Sequence, residues 1–117
     1  MNTSQLTTEA LRRSLQAAAL RQQVLANNIA NANTPGFKRS RVEFETKLAE
    51  ALRNGQPLEQ VQPEIIQETN TIGRPDGNNV DIELEMSELA ENQIYYSALT
   101  RSLNDHFARL KQVIDGR

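Results

Sequence analysis

Apolar residues recur at alternating spacings of four and three along the first third of the chain, which constrains this segment to a long helix with one buried stripe. The stripe, interrupted by one polar residue, consists of Leu11, Leu15, Ala18, Gln22, Leu25, Ile29 and Ala32. Thr7 or Thr8 is a suitable N-cap, and Thr34 is biased away from helix because it precedes Pro35. The pattern therefore predicts a helix over residues 7–33.

The last third of the chain repeats this spacing over a greater length. The positions are Ile82, Met86, Leu89, Gln93, Tyr96, Thr100, Leu103, Phe107, Leu110 and Ile114. Asp81 is a suitable N-cap, and Glu83 and Glu85 fall in the first turn, where the helix dipole favours an anion. We predict a helix over residues 81–115. Because neither helix can bury its stripe alone, we expect a mainly α fold in which the two pack as an antiparallel or slightly crossed α-helical coiled coil.

Residues 34–80 lack this periodicity and are predicted to form a short, irregular and partly extended connector within a single domain of residues 1–117. A short helix is predicted over residues 42–53, where Asn54 and Gly55 end the pattern. The apolar residues on one side of this helix are Phe44, Leu48 and Leu52.

The second half of the connector is predicted to be less regular. Residues 61–72 are typical of extended chain with short strand pairing, and turn-forming residues cluster at 74–79. We expect residues 55–79 to be mobile in the isolated protein.

The composition argues against several classes of protein. With no cysteine and a net charge of −2 over 117 residues, the chain has no disulfide framework or thiol chemistry and lacks the basic excess of a nucleic-acid binder. No apolar run is long enough to span a bilayer, so we expect no direct membrane insertion. The N-terminus lacks the features of a cleavable secretory signal, which by itself indicates a cytoplasmic protein but leaves specialised export open.

No pattern in the sequence supports catalysis. Metal-ligand spacing, a glycine-rich phosphate loop and a nucleophile elbow are all missing from the sequence. A paired-carboxylate cleft cannot be placed either. We therefore predict that the protein is not an enzyme and binds no cofactor or metal.

A long uncharged stretch overlaps the end of the first predicted helix. From Gln22 to Phe37 there is no charged residue, and asparagine is frequent. Asn27, Asn31 and Thr34 lie at i, i+4 and i+7 and form a polar stripe beside the apolar one. Amide side chains both donate and accept hydrogen bonds, so they suit a surface covered by protein, where an unpaired charge would be costly. Residues 92–100 are also uncharged.

These two uncharged surfaces predict contacts beyond the pairing of the helices, although core packing within a small bundle is the alternative explanation of the apolar stripes. The predicted assembly interface consists of Leu11, Leu15, Ala18, Gln22, Leu25, Asn27, Asn28, Ile29, Asn31, Asn33, Thr34, Pro35, Gly36, Phe37, Met86, Leu89, Gln93, Tyr96, Leu103, Phe107 and Leu110.

Three other features suit a binding site but favour a structural interpretation. Lys38, Arg39 and Arg41 would suit a phosphate, yet three cations after a turn are more often a solvated loop. His106 is the only histidine and is expected to be partly exposed on its helix. Residues 76–81 are similar to the start of a calcium loop, but their incomplete acidic alternation favours a turn leading into a helix cap.

Two segments resemble signatures of a known family. Residues 20–38 resemble the N-terminal signature of bacterial flagellar basal-body rod proteins, which are related to the hook proteins. The run Asp76-Gly77-Asn78-Asn79-Val80-Asp81-Ile82, leading to Glu85-Met86, is similar to the start of that family's C-terminal helix. Hook and distal-rod relatives insert a large domain between the helices and carry a Ser-Arg-Ala-Tyr-like run where this chain has Gln93-Ile94-Tyr95-Tyr96. The short chain is therefore most similar to the proximal-rod members.

The resemblance implies a structural subunit of the periplasmic rod of the flagellar basal body. Such subunits are exported without a cleavable signal and polymerise through their terminal helices into the shaft that transmits motor torque for motility. The implied partners are further copies of the chain, FlgC, FlgF, a FliE-type adaptor, the MS ring and the flagellar type III export apparatus. The alternatives are the sibling proximal-rod protein FlgC itself and a cytoplasmic helical adaptor that binds one partner helix.

Overall fold

The computed structural model describes residues 2–70 and 73–116, which form an elongated molecule of 64 × 27 × 14 Å. The elements are α1 (Thr3–Ala30), β1 (Ser40–Glu43), α2 (Glu45–Asn54), a 3-10 turn (Leu58–Gln60), β2 (Glu64–Gln67) and α3 (Ile82–Asp115). The predicted fold class, mainly α with two long terminal helices packed together and a short connector, is confirmed. Among the described residues, no helix combines the length and the apolar character that a bilayer span requires.

Helix α1 begins at Thr3, four or five residues before the predicted caps Thr7 and Thr8. The cause is a capping box: the Asn2 side chain accepts a hydrogen bond from the backbone N–H of Gln5 at 2.8 Å, and the Gln5 side chain accepts one from the backbone N–H of Asn2 at 3.0 Å. The helix ends at Ala30 rather than near residue 33, and a series of turns leads to Gly36.

Helix α3 has the predicted N-cap. The carboxylate of Asp81 accepts hydrogen bonds from the backbone N–H groups of Glu83 and Leu84, at 3.1 and 3.3 Å. The helix then runs for 34 residues without interruption to Asp115, and the next residue, Gly116, has a φ of 69°, the left-handed conformation that glycine adopts readily.

Helices α1 and α3 pack antiparallel, and the side of α3 that faces α1 is not the predicted one. The residues of α3 buried most deeply are Glu85, Asn92, Leu99 and His106, at intervals of seven. Three of these four are polar and form hydrogen bonds with α1. Helix α3 therefore turns this row, rather than the centre of its apolar stripe, toward α1. Several stripe residues are therefore exposed: Met86 by 57%, Tyr96 by 44% and Phe107 by 48%.

A second contact surface of α1 packs against the connector. Ala17 of α1 lies in a buried cluster with Phe44, Ala51, Leu58 and Val61. Leu6, Ala10 and Leu48 pack against the same cluster. Helix α2 begins at Glu45 rather than at residue 42, because the chain is still extended in β1. Its buried face holds Ala51, whereas Leu52, predicted to lie on that face, is exposed.

The connector contains a two-stranded antiparallel sheet in which Ser40 pairs with Gln67 and Glu43 with Glu64. Strand pairing was predicted for residues 61–72, although Thr71 and Ile72 lie outside the described residues, and β1 was not predicted at all. Within the described part of segment 55–79, which was expected to be mobile, two side chains are anchored in the fold: Leu58 is 2% and Asn78 is 0% exposed.

Candidate assembly surface

The two signature segments meet in space and form what we call the junction, residues 31–39 and 73–80. At its centre lies Asn78, whose buried amide donates to the backbone carbonyls of Asn31 at 2.9 Å, Ala32 at 3.1 Å and Thr34 at 2.9 Å. Its Oδ1 accepts from the backbone N–H of Val80 at 2.8 Å. Because these carbonyls follow the last turn of α1, Asn78 caps the end of α1 from a distant part of the chain.

Backbone contacts complete the junction. The N–H of Gly36 donates to the carbonyl of Asp76 at 2.8 Å, and the N–H of Arg39 donates to the Asn79 side chain at 2.7 Å. At Gly73 a Cβ would lie 2.2 Å from the backbone oxygen of Asn78, so only glycine fits this position. The signature residues therefore hold the C-terminal end of α1 beside the start of α3.

The junction capping predicts that Asn78→Ala lowers the free energy of unfolding by about 2 kcal/mol, because three partly or fully buried carbonyls lose the Asn78 donor and the buried N–H of Val80 loses its acceptor. Urea unfolding followed by circular dichroism measures this difference. The matched control is Asn33→Ala, since Asn33 is exposed in the same turn, and it should change stability by less than about 0.5 kcal/mol. Equal losses in the two variants would contradict the capping role.

Among the cations that follow the turn, Arg39 is not part of a solvated loop. The Arg39 side chain is 9% exposed and pairs with Glu85, with Glu68 at 2.8 Å and with Glu88 at 3.0 Å. Burial alone would lower the pKa of Arg39, but hydrogen bonds from its guanidinium to Glu85 and Glu68 raise that pKa above its ordinary value. Arg39 is therefore a fixed cation that ties the junction to α3.

The other two cations of this run are also engaged within the chain. Lys38 donates to the carbonyl of Gly77, and Arg41 pairs with Glu43 at 3.2 Å and with Glu68 at 3.3 Å. The solvated-loop interpretation was wrong for Arg39 in particular, because its acidic partners come from sequence positions that local patterning does not connect to it.

Three residues of the predicted assembly interface lie inside the chain. Ala18 is 0%, Leu25 is 2% and Asn28 is 0% exposed. The Asn28 amide donates to the Ser40 carbonyl at 2.8 Å and to Glu85 at 3.0 Å, and its Oδ1 accepts from the Ser40 N–H at 3.0 Å. These side chains are used to pack α1 and are unavailable to a neighbouring molecule.

The contact between α1 and α3 contains further polar residues. Asn92 donates to the carbonyl of Ala18 at 2.8 Å and to Oε1 of Gln22 at 2.9 Å, while its Oδ1 has no hydrogen-bond partner among the described residues. The Nε2 atom of His106 lies 3.1 Å from the carbonyl of Ser4. His106 is only 9% exposed, so the expectation of a partly exposed histidine was wrong.

The rest of the predicted interface remains accessible at least in part. The exposed members are Asn27, Asn33, Thr34, Pro35, Gly36, Met86, Gln93, Tyr96 and Phe107. The partly buried members are Leu11, Leu15, Gln22, Ile29, Asn31, Phe37, Leu89, Leu103 and Leu110. The prediction omitted Ile94 and Val113, which are 72% and 79% exposed. The position of Ile94 within an uncharged run was the available signal for including it.

The asparagine stripe is ordered by its own hydrogen bonds. Nδ2 of Asn31 donates to the carbonyl of Asn27 at 2.9 Å and to its Oδ1 at 3.1 Å, and the hydroxyl of Thr34 donates to Oδ1 of Asn31 at 3.2 Å. These side chains form a chain of hydrogen bonds on the surface, so the stripe is presented in a fixed orientation.

The two sides of the α1–α3 pair differ in charge. On one side a groove of about 400 Å³ is lined by Ala19, Gln22, Gln23, Asn92, Gln93, Tyr96 and Ser97, all uncharged. The other side is lined by Arg21, Glu45, Glu88, Glu91, Asn92 and Tyr95, and Arg21 pairs with Glu45 at 2.7 Å. Burial acts to raise the pKa of Glu45, but its hydrogen bond with Arg21, a backbone hydrogen bond and the positive charge of Arg21 together hold that pKa below its ordinary value. The uncharged side is the one suited to close contact with another protein.

Comparison with known proteins agrees with these features. Residues 9–38 match the family model described as flagella basal body rod protein. The flagellar basal body rod protein FlgB of Borrelia hermsii is 35% identical over 134 residues, covering 97% of this chain and 99% of the relative. FlgB of Bacillus subtilis is 35% identical over 94% of each chain, and FlgB of Escherichia coli is 28% identical over 86% of each.

Proposed function

The chain belongs to the family of flagellar basal body rod proteins and is a structural subunit of the proximal rod, and we propose that it is built into the rod through the exposed faces of its two terminal helices. The comparisons favour this over the alternative of the sibling protein FlgC. The family is a structural one, and we assign the chain no catalytic role.

One observation carries the proposal: an elongated helix pair exposes apolar and amide side chains, and the groove on one side of it is lined by uncharged residues. Met86, Tyr96 and Phe107 are each more than 40% exposed in the described chain, although their spacing is that of a coiled-coil stripe. Side chains of this kind lose water favourably when another subunit covers them, at roughly 25 cal/mol per Å² of apolar surface. A contact that joins two different patches of one subunit, repeated from copy to copy, builds a filament or tube.

The proposed interface retains the exposed and partly buried members of the predicted set and leaves out Ala18, Leu25 and Asn28, which pack inside the chain. The junction supports this interface indirectly. Asn78 and Arg39 hold the end of α1 and the start of α3 together. The exposed faces of α1 and α3 therefore keep the same relative position when a neighbouring subunit docks.

The finer properties of the protein follow from the same proposal. We propose that residues 1–117 form one rod-protein domain, which is exported by the flagellar type III apparatus without a cleavable signal and assembled in the periplasm. Its neighbours would be further copies of itself, FlgC, FlgF, a FliE-type adaptor and the MS ring. Assembly into a coiled-coil shaft would then allow the subunit to transmit motor torque, with no contact to nucleic acid and no insertion into the membrane.

A deletion strain tests the proposal. Without this subunit the rod should not be completed, so electron microscopy should find cells without hooks and filaments, and swimming should be lost. Expression of the wild-type chain from a plasmid is the control and should restore both. Intact hooks and filaments in the deletion strain would show that the chain is not needed to build the shaft.

A further inference from the structure

The uncharged groove between α1 and α3, here called the amide groove, presents amide and hydroxyl groups to the solvent. It is lined by Ala19, Gln22, Gln23, Asn92, Gln93, Tyr96 and Ser97. Oε1 of Gln22 accepts from Asn92 at 2.9 Å, which directs the Nε2 group of Gln22 away from Asn92. A charged side chain entering this groove would lose water and meet no counter-ion, whereas an amide would find both donors and acceptors.

A ridge of matching chemistry lies on α1 and the turn that follows it. Asn27, Ala30 and Thr34 follow one another at spacings of three and four residues, and all are exposed and uncharged. We call these three residues the amide ridge. Asn27 and Ala30 are neighbours because side chains three positions apart lie side by side on a helix surface, and Thr34, in the turn after α1, is linked to Asn27 by hydrogen bonds through Asn31.

The chain of surface hydrogen bonds fixes the side chain of Asn27, which supplies the amide of the ridge. Its Oδ1 accepts from Nδ2 of Asn31 at 3.1 Å, and Oδ1 of Asn31 accepts in turn from Thr34 at 3.2 Å. The carbonyl side of the Asn27 amide is therefore turned toward Asn31. Among the hydrogen bonds of the described residues, Nδ2 of Asn27 donates to no acceptor. Because Asn27 is exposed, this donor is available to an external partner.

We propose that the amide ridge of one copy docks into the amide groove of a second copy of this chain. The proposal rests on the proposed function, because it names the two patches that meet when subunits assemble. Nδ2 of Asn27 would donate to a side-chain oxygen of Gln93 or Tyr96, and Ala30 would allow the helices to approach closely.

The ridge of a second copy is proposed to fill the groove because neither the ridge nor the groove carries a charge. The opposite side of the helix pair contains Arg21, Glu45, Glu88 and Glu91 and could enter the groove only with loss of solvation. The ridge is an exposed, uncharged surface on α1 and the turn after it, and it carries a fixed donor. Ridge and groove are different patches of the chain, so the contact between two copies is not two-fold symmetric. Each copy keeps one ridge and one groove free for further copies, and the contact can repeat.

Disulfide cross-linking tests this pairing, since the natural chain has no cysteine. The variant Asn27→Cys with Gln93→Cys would be expressed in the deletion strain, and isolated basal bodies would be oxidised and examined on non-reducing gels. A bond within one chain is excluded: Asn28 contacts Glu85, and Gln93 lies about 12 Å further along α3 at 1.5 Å per residue, beyond disulfide reach. We expect linked dimers and a ladder of larger products.

The matched control is Asn27→Cys with Glu91→Cys, because Glu91 lies at a similar height on the charged side of α3. It should give no ladder. A second test pair, Ala30→Cys with Ser97→Cys, probes the same contact through other members of the ridge and groove, and we expect it to cross-link too.

Two failures can be told apart. Rods that contain either test pair and sustain swimming, yet yield no cross-link, would overturn the pairing while leaving the proposed function intact. Basal bodies that lack the wild-type chain on an immunoblot would contradict the proposed function itself. Cross-linked dimers from Asn27→Cys alone would mean that ridge meets ridge, which also overturns the proposal.

Discussion

Replacing Glu85 with alanine is expected to destabilise the fold by about 3–5 kcal/mol, the usual cost of removing one partner of a buried ion pair. The Glu85 side chain is 0% and the Arg39 side chain 9% exposed, and Asn28 also donates to the Glu85 carboxylate at 3.0 Å. The substitution would leave a buried cation and a buried amide without that acceptor. Because small domains are stable by only about 5–15 kcal/mol, urea unfolding should show a large fall in the midpoint.

The matched control is Glu88→Ala. Glu88 pairs with the same guanidinium at 3.0 Å, but its side chain is 39% exposed, so the pair is screened by water and should contribute at most about 1 kcal/mol. If the two variants lost the same stability, burial of the Arg39–Glu85 pair would not be what fixes the junction to α3.

The sequence was sufficient to predict the two long helices, because their signals are local. The apolar spacing, the Asp81 cap and the residue before Pro35 all act within a few positions of the helix they define. Even the misplaced start of α1 had a local signal, since Asn2 and Gln5 have the spacing of a capping box.

The rotation of α3 could not be predicted in this way. An apolar stripe normally marks the buried face, but Glu85, Asn92 and His106 are buried because each has a hydrogen-bond partner elsewhere in the chain. Those partners are 57 to 102 residues away in sequence. Asn28 illustrates the same limit: it looks like a member of the surface asparagine stripe, yet it is bound to Ser40 and Glu85 inside the fold.

The connector was predicted least well. Arg39 and Arg41 belong to a cationic run that is typical of a solvated loop, whereas their shared partner Glu68 lies beside them because β1 pairs with β2. The two signature segments were recognisable in the sequence. No local pattern, however, indicated that Asn78 would cap the end of α1, which lies in the other segment.

The largest effect on function is expected from replacing both Asn27 and Asn31 with lysine. Asn27 is exposed and Asn31 half-buried, their side-chain hydrogen bonds are confined to the surface stripe, and Lys favours helix at least as well as Asn. The isolated variant should therefore keep its helical circular dichroism. In the rod each lysine would be buried without a partner, at a cost of about 3–5 kcal/mol, which weakens the contact more than a hundredfold.

A control variant adds the same charge elsewhere. Thr46 and Ala49 are exposed on α2, outside the proposed interface, so changing both to lysine should leave folding, rod incorporation and swimming unaffected. This comparison separates the position of the added charge from the charge itself.

The most direct measurement of the central claim, that the uncharged face is the assembly surface, is rod incorporation scored together with swimming in the deletion strain. With Asn27→Lys and Asn31→Lys, we predict a folded and exported subunit that is absent from basal bodies, in cells that do not swim, while the α2 control swims normally. Full swimming and normal incorporation of the Asn27→Lys, Asn31→Lys subunit would mean that this face remains in contact with water in the rod, and would contradict the claim.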